Sequence, residues 1–317
     1  MQKSIRKSIL PIILLTMLFV MIPLFAHATI SQSGIYKDKA VLNFTREDSY
    51  TVVGDYKVML AVNGGEYKEV TTVPSTATSA TITGLSSVNT YRARIEYTYE
   101  TSYGYTNTNW IYMENYDDIA LIPQKVTGVK QSRWYHYIKI VDGMWNGQKS
   151  VSGYQYEMYN AKGKLVKKGT NSYYSSTTMS LDNVNNKTTY RMRVRAYTEW
   201  NGKTYWGDWS DYGYFVGQTP NVKIKFKNKK MTVSWSKIAG ATGYSVMVST
   251  KSNGGFKKLK TVSSKKNKVT IKKFGKKKFK KGKMYYIYIM TNKKVGKVTF
   301  TSSPKNSPLY VDSAKCK

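Results

Sequence analysis

The sequence predicts an all-β protein made of three tandem β-sandwiches that follow an N-terminal export segment. Short stretches rich in Tyr, Val, Ile and Thr alternate apolar and polar residues, and clusters of Gly, Asn, Asp and Ser separate them. Helical periodicity is almost absent after the first 28 residues. Alternation with a period of two places apolar side chains on one face of a strand, which is the pattern of an all-β sandwich.

The N-terminus has the layout of a signal peptide. Basic residues precede an apolar run from Ile9 to Ala26, and the small residues of Ala-His-Ala predict cleavage after Ala28. The alternative is a retained membrane anchor, because the run is nearly long enough to cross a bilayer. We expect residues 1–28 to be removed, which leaves a secreted or cell-surface protein with no further membrane span.

Three repeats are visible in the rest of the chain. Each contains an alternating strand that begins at a tyrosine, namely Tyr91, Tyr190 and Tyr285, which lie 99 and 95 residues apart. Repeats of this length suit seven short strands in an immunoglobulin-like sandwich. Upstream, each repeat has an apolar pair three residues apart: Ile82 and Leu85, Leu181 and Val184, Ile271 and Phe274.

The stretch Tyr190-Arg-Met-Arg-Val-Arg-Ala resembles strand F of the fibronectin type III family, with Tyr190 in the tyrosine-corner position. Trp145 and Trp235 each precede a strand tyrosine by nine residues, which resembles the B–C passage of bacterial members. Phe44 replaces this tryptophan in the first repeat, so the resemblance is weaker there. It implies tandem fibronectin type III-like domains of a secreted or cell-surface bacterial protein.

The predicted domains are a divergent first domain at 29–123, a second at 124–220 and a lysine-rich third at 221–317. Pro123 and Pro220 mark the boundaries, because strand patterning breaks there and proline disfavours ladder hydrogen bonds.

The residues offer little for catalysis. His136, in a stretch with a strand-like pattern, is the only histidine after position 28, and Cys316 is the only cysteine. These counts exclude an intrachain disulfide and the usual zinc spacings. We interpret Cys316 as an inert tail residue, with a disulfide between chains as the alternative. The sequence predicts no catalytic residue, no metal site and no cofactor, hence a protein that is not an enzyme.

Charge is distributed very unevenly. Of the net +33, the predicted domains carry −4, +8 and +26 in order, and the third has 27 lysines, no arginine and a single acidic residue, Asp312. Such a domain gathers counterions that a polyanion can displace. The alternative is a lysine-rich surface that only maintains solubility. We predict polyanion binding by the lysines of the connection before Tyr285: Lys272, Lys273, Lys276, Lys277, Lys278, Lys280, Lys281 and Lys283.

A second group of side chains lies in the middle domain. Arg191, Arg193 and Arg195 alternate with the inward row, and Trp206 and Trp209 follow within Trp-Gly-Asp-Trp-Ser. That segment resembles the W-S-x-W-S motif of fibronectin type III domains in cytokine receptors, although its second residue differs. The resemblance implies a structural ladder of interleaved Trp and Arg side chains. The alternative is that exposed rings bind carbohydrate.

These observations predict a surface-associated, non-catalytic binding or adhesion protein. Its basic C-terminal domain would engage a polyanionic cell-wall or extracellular polymer, such as teichoic acid or a sulfated glycan, although nucleic acid and an anionic membrane surface have the same electrostatic signature. The alternatives are a carbohydrate-binding accessory module, a protein-binding module and a structural spacer.

Overall fold

The structure, a computed structural model, describes residues 28–46, 50–114, 117–219, 221–302 and 311–317. The regular elements in these ranges are β-strands, so the prediction of an all-β protein is confirmed. The predicted signal peptide lies outside the described residues, except for Ala28. Within the described ranges, no helix has the length and apolar character needed to span a membrane.

The first domain contains two sheets that join at one edge. Its strands are β1 (Thr29–Gln32), β2 (Lys39–Phe44), β3 (Thr51–Val62), β4 (Lys68–Val73), β5 (Ser79–Thr83), β6 (Tyr91–Glu100) and β7 (Thr106–Met113). One sheet has the order β4-β3-β6-β7 and the other β1-β2-β5. A short parallel pairing of β1 with β7 connects them into one path of seven strands.

The second domain repeats the arrangement with separate sheets. Its strands are β8 (Lys130–Tyr135), β9 (Ile140–Met144), β10 (Gly153–Asn160), β11 (Leu165–Asn171), β12 (Thr178–Leu181), β13 (Tyr190–Trp200), β14 (Lys203–Trp206) and β15 (Gly213–Phe215). The order is β8-β9-β12 in one sheet and β11-β10-β13-β14 in the other, and β15 also pairs with β13.

The third domain has the same order with one insertion. Its strands are β16 (Lys223–Lys227), β17 (Lys230–Ser234), β18 (Gly243–Ser249), β19 (Lys257–Ser263), β20 (Lys268–Ile271), β21 (Lys273–Phe274), β22 (Lys277–Lys278), β23 (Met284–Val295), β24 (Val298–Thr301) and β25 (Asp312–Lys315). The sheet β16-β17-β20 faces β19-β18-β23-β24, β25 also pairs with β23, and β21-β22 is a separate hairpin.

When the inserted β21-β22 hairpin is left out of the count, the first, second and fifth strands of each domain form one sheet, and the third, fourth, sixth and seventh strands form the other. The sixth strands are then β6, β13 and β23. This is the fibronectin type III-like sandwich that the sequence predicts. Each predicted domain also contains its own buried apolar cluster. The boundary positions themselves stay predictions.

A tyrosine corner recurs in all three domains. A tyrosine at the start of the sixth strand, or one residue inside it in the third domain, accepts a hydrogen bond from the backbone N–H five residues upstream. The pairs are Ser86 N with Tyr91 Oη at 3.0 Å, Asn185 N with Tyr190 Oη at 2.8 Å, and Lys280 N with Tyr285 Oη at 2.9 Å. The bond fixes the loop before that strand against the strand itself.

The third domain corrects one alignment of the repeats. Leu85 and Val184 are buried six residues before their corner tyrosines, and in the third domain that position is Phe279, which is 1% exposed. Phe274 is only half-buried. The pairing of Ile271 with Phe274 was therefore wrong. Compared with the other repeats, five extra residues lie between Ile271 and Phe279, and this insertion accommodates the β21-β22 hairpin.

Two other sequence interpretations change. His136 lies in the turn after β8 rather than in a strand, and it is buried against Trp134. Cys316 is 1% exposed and belongs to the third apolar cluster. It therefore acts as a small core side chain rather than a tail residue, and a disulfide between chains would first require its exposure.

Consecutive domains are joined by backbone hydrogen bonds. At the first junction, the carbonyl of Ser87 accepts bonds from the N–H groups of Lys149 and Ser150, both at 3.0 Å. At the second, Thr189 N donates to the carbonyl of Ala239, and Ala239 N donates to the carbonyl of Lys187, both at 2.9 Å. Both junctions join the loop before the sixth strand to the loop after the second strand of the next domain.

Candidate functional site

The outer face of the sheet β16-β17-β20 is lined by lysines and hydroxyls. Along β16, Ile224 and Phe226 pack inward against the core, so the intervening lysines point to solvent. Across the register, the Thr232 and Thr270 hydroxyls lie 2.9 Å apart at the centre of the face. The exposed lysines of this face are Lys223, Lys225, Lys227, Lys230 and Lys268.

All eight lysines predicted to bind a polyanion are exposed on or beside the β21-β22 hairpin. The base of the hairpin is fixed because Phe274 and Phe279 pack on Tyr285, with ring centroids 5.6 and 5.0 Å away. Lys272 directly follows β20, so the hairpin continues from the edge of the sheet face. We call the five lysines of the sheet face and these eight together the lysine surface.

The charge of the lysine surface is not neutralised by the described part of the chain. The ion pairs in the described part of the chain join residues that precede Tyr212. None of them involves a lysine of the third domain. Asp312, the single acid of that domain, is half-buried, and burial raises its pKa. Lys229 continues the alternation of Lys223, Lys225 and Lys227 in the sequence, but it does not share their face, because it lies in the tight turn between β16 and β17 with a φ of 53°.

In the middle domain, arginine and aromatic side chains interleave on the outer face of β13. The Arg195 guanidinium carbon lies 4.1 Å from the ring centroid of Trp206 and 4.6 Å from that of Trp209. Arg193 lies 4.4 Å from the ring centroid of Trp209. These distances fit cation–π stacking.

Hydrogen bonds hold this stack in place. Arg193 donates to the Glu157 carboxylate at 2.7 Å, and Arg195 donates to Gln155 Oε1 at 2.7 Å. Burial alone would raise the pKa of Glu157, but hydrogen bonds from Tyr159 and Arg193 hold it below its usual value. Ser210 Oγ accepts from the N–H of Val194 at 2.9 Å and so attaches the Trp-containing segment to β13.

The sequence interpretation missed Tyr212, which continues the stack 4.5 Å from Arg191. The signal was present, because Trp206, Trp209 and Tyr212 recur every three residues. The first domain has a smaller counterpart, in which Arg94 lies 4.4 Å from the Tyr67 ring and 5.3 Å from the Trp110 ring.

The described residues contain no group of three or more His, Cys, Asp or Glu side chains that could hold a metal ion. The one described histidine, His136, is buried, and burial lowers its pKa to about 4. The described residues that the sequence predicted as site residues therefore lie in the lysine surface or in the arginine–aromatic stack.

Comparison with solved structures returns fibronectin type III arrays. The chain is similar to the FN1–FN3 domains of chicken CNTN1, at 14% identity and a TM-score of 0.37, over 91% of this chain and 97% of that one. It is also similar to a segment of two fibronectin type III domains from chicken tenascin, at 14% identity and a TM-score of 0.31, over 60% of this chain and 98% of that one. No family model and no curated protein matches the sequence.

Matches this distant carry no information about ligands. The strand order, the separate cores and the three tyrosine corners define the class of protein directly. The chain is a tandem array of fibronectin type III-like domains.

Proposed function

We propose that this chain is a non-catalytic binding protein, secreted or held at a cell surface, whose third domain engages a polyanionic polymer through the lysine surface. The observation that carries the proposal is the arrangement of the lysines. They are exposed, they continue from a sheet face onto an anchored hairpin, and they have no ionic partner within the described part of the chain. Solubility alone needs a much smaller net charge than +26.

The choice of lysine supports a polymer with many similar anionic groups. Arginine presents a planar fork that suits bidentate recognition of one group, whereas lysine is a flexible point charge. Residues 221–317 contain no arginine. Binding should therefore come from counterion release along the polymer and depend steeply on salt.

The first two domains would then present other surfaces away from the polymer.

A second candidate function is carbohydrate binding by the middle domain, because the Trp206 ring at the end of the arginine–aromatic stack is 38% exposed. Ring stacking on a neutral sugar depends little on salt, so a salt series separates the two functions.

The test uses the polypeptide Thr29–Lys317, which contains all the described strands. Its affinity for long-chain inorganic polyphosphate, heparin and neutral dextran is measured across a salt series. We expect the logarithm of the polyphosphate and heparin affinities to fall linearly with the logarithm of salt concentration. Replacing Lys276, Lys277, Lys278 and Lys281 with Gln should reduce that slope by about 3, at somewhat under one released counterion for each lysine.

The matched control removes four exposed lysines from the middle domain, with Lys130, Lys139, Lys168 and Lys203 replaced by Gln. It should change the slope much less. Equal losses in the two variants, or a flat salt dependence, would show that the lysine surface is not the site. Salt-resistant dextran binding would favour the carbohydrate function, and no binding to any polymer would favour a spacer.

A further inference from the structure

A different cationic feature lies at the junction between the second and third domains. A cleft of about 470 Å³ is lined there by Lys162 and Arg191 of the second domain and by Lys293 and Lys294 of the third. No acidic side chain is among its described lining residues. We infer that this cleft is a discrete site for one phosphate-type anion and is separate from the lysine surface.

Arg191 is the side chain best placed to recognise such an anion. Its guanidinium is held between the rings of Tyr212 and Tyr159, 4.5 and 5.7 Å from their centroids. The nearby carboxylate of Glu157 already accepts from Arg193. None of the ion pairs in the described part of the chain involves Arg191, and its buried Nε has no hydrogen-bond partner there. A positioned but unpaired guanidinium fits a phosphate oxygen pair.

The wall from the third domain is equally well fixed. Lys293 and Lys294 lie where β23 pairs with β24, and the N–H of Lys294 donates to Thr242 Oγ1 at 2.8 Å. The Phe300 ring packs on Tyr214 of the second domain with centroids 5.0 Å apart. Together with the backbone bonds at this junction, these contacts hold the two walls at a set separation. Such preorganisation reduces the entropy lost on binding.

The size and charge of the cleft define the class of ligand. Its volume lies in the range of small-molecule pockets, so it accepts one group rather than a length of polymer. Basic residues line the cleft from both domains and no carboxylate does, which favours a polyvalent anion over a single carboxylate. The ligand is therefore a phosphate group, either free as an oligophosphate or carried by a phosphomonoester.

Calorimetric titration of the Thr29–Lys317 polypeptide with inorganic pyrophosphate at low salt tests this inference. We expect one site per chain. Arg191→Gln should weaken binding at least tenfold, and Arg191→Lys should weaken it less, because the charge remains while the fork is lost. The double variant Lys293→Gln/Lys294→Gln should also weaken it at least tenfold, without altering the arginine–aromatic stack.

The matched control is Lys257→Gln/Lys258→Gln, which removes two charges from the same domain at the opposite end of β18. It should change affinity less than twofold.

Several weak sites per chain, equal losses in the two lysine pairs, or no binding would overturn the inference. Competition by glycerol 1-phosphate would identify a phosphomonoester ligand, and its absence a free oligophosphate. Pyrophosphate binding should survive in the variant with Lys276, Lys277, Lys278 and Lys281 replaced by Gln. The outcome for this cleft is therefore independent of the outcome for the proposed polymer binding.

Discussion

The imidazole of His136 packs nearly parallel to the indole of Trp134, with ring centroids 5.6 Å apart and 15° between the ring planes. Its Nε2 accepts a hydrogen bond from the N–H of Gln218 at 3.2 Å. Burial lowers the pKa of His136 to about 4, so the ring is neutral near pH 7. A single neutral side chain thus connects the last residues of the middle domain to its first strand.

This environment predicts how the middle domain responds to acid. The unfolded chain binds a proton at His136 below about pH 6.5, whereas the folded chain does so only near pH 4. The free energy of unfolding should therefore fall as the pH drops through that window, by up to roughly 3 kcal/mol from this residue.

Proton NMR measures this titration directly, since His136 is the only histidine of residues 29–317. We expect its ring signals to titrate with a midpoint near pH 4. In His136→Gln, the loss of stability between pH 6.5 and 4 should be smaller than in the parent chain. A midpoint near 6.5 would show that the ring is solvated and that Gln218 is held by other contacts.

At the level of elements, the β21-β22 hairpin shows how a highly charged segment acquires a defined shape. Its lysines contribute nothing to the core, and its order depends on the aromatic residues at its base. Phe279 contacts Tyr285 and lies 5.3 Å from the Phe226 ring on the opposite sheet. The hairpin is therefore attached to both sheets of the sandwich.

This attachment predicts unequal effects for the two hairpin phenylalanines. Phe279→Ala should lower the free energy of unfolding of the third domain by about 3–5 kcal/mol, because it removes a fully buried aromatic side chain. Phe274→Ala should cost well under half as much, since its ring is only half-buried. Urea unfolding followed through Trp235, the one tryptophan of this domain, measures both. Equal costs would show that Phe274 is as well buried as Phe279.

Strand alternation was sufficient to predict most of the fold from sequence. The inward row of β13 follows from a period of two, because burial on one face of a strand imposes it. The corner tyrosines and the Trp145 and Trp235 positions were implied by the resemblance to the fibronectin type III family. Phe274 and Phe279 mark the limit of this reasoning. Phe274 lies three residues after Ile271, and Phe279 lies six residues before Tyr285, so each fits one of the two spacings of the other repeats. Only the packing of the inserted hairpin shows which of the two rings is buried.

The candidate sites were less predictable, since they depend on contacts between distant segments. Alternation predicted the outward arginines of β13, but Tyr212 joins them only because the segment after β14 folds back over β13. The junction cleft was not predicted at all. Arg191 and Lys293 are about 100 residues apart in sequence, and no local pattern indicates that they line the same cleft.

On the scale of the whole molecule, the two junctions between domains have the same form. In both, the loop before a sixth strand bonds through its backbone to the loop after the second strand of the next domain. At the first junction, the buried Ser87 hydroxyl also donates to Gln148 Oε1 at 2.5 Å. Domains joined in this way should keep a fixed orientation, so the lysine surface would stay at a set distance from the first domain.

Amide hydrogen exchange tests whether the junctions hold in solution. Four loop amides each donate to a carbonyl across a junction, namely the N–H groups of Lys149, Ser150, Thr189 and Ala239. Their protection therefore reports the docking of the domains. We expect all four to exchange at least tenfold more slowly than an exposed turn amide such as that of Lys229.

The variant Gly240→Ala tests the second junction while it leaves the first junction unaltered. Gly240 has a φ of 82°, and a Cβ there would lie 2.3 Å from Thr189 Oγ1 and 2.8 Å from Ala161 Cβ. Both the backbone conformation and the contact disfavour alanine.

The amides of Thr189 and Ala239 should lose most of their protection, whereas those of Lys149 and Ser150, at the unaltered junction, should keep theirs. Amides within β18 should also stay protected, which shows that the third domain remains folded. Fast exchange of all four amides in the parent chain would mean that the domains hinge freely, and then no fixed distance between the lysine surface and the first domain would exist.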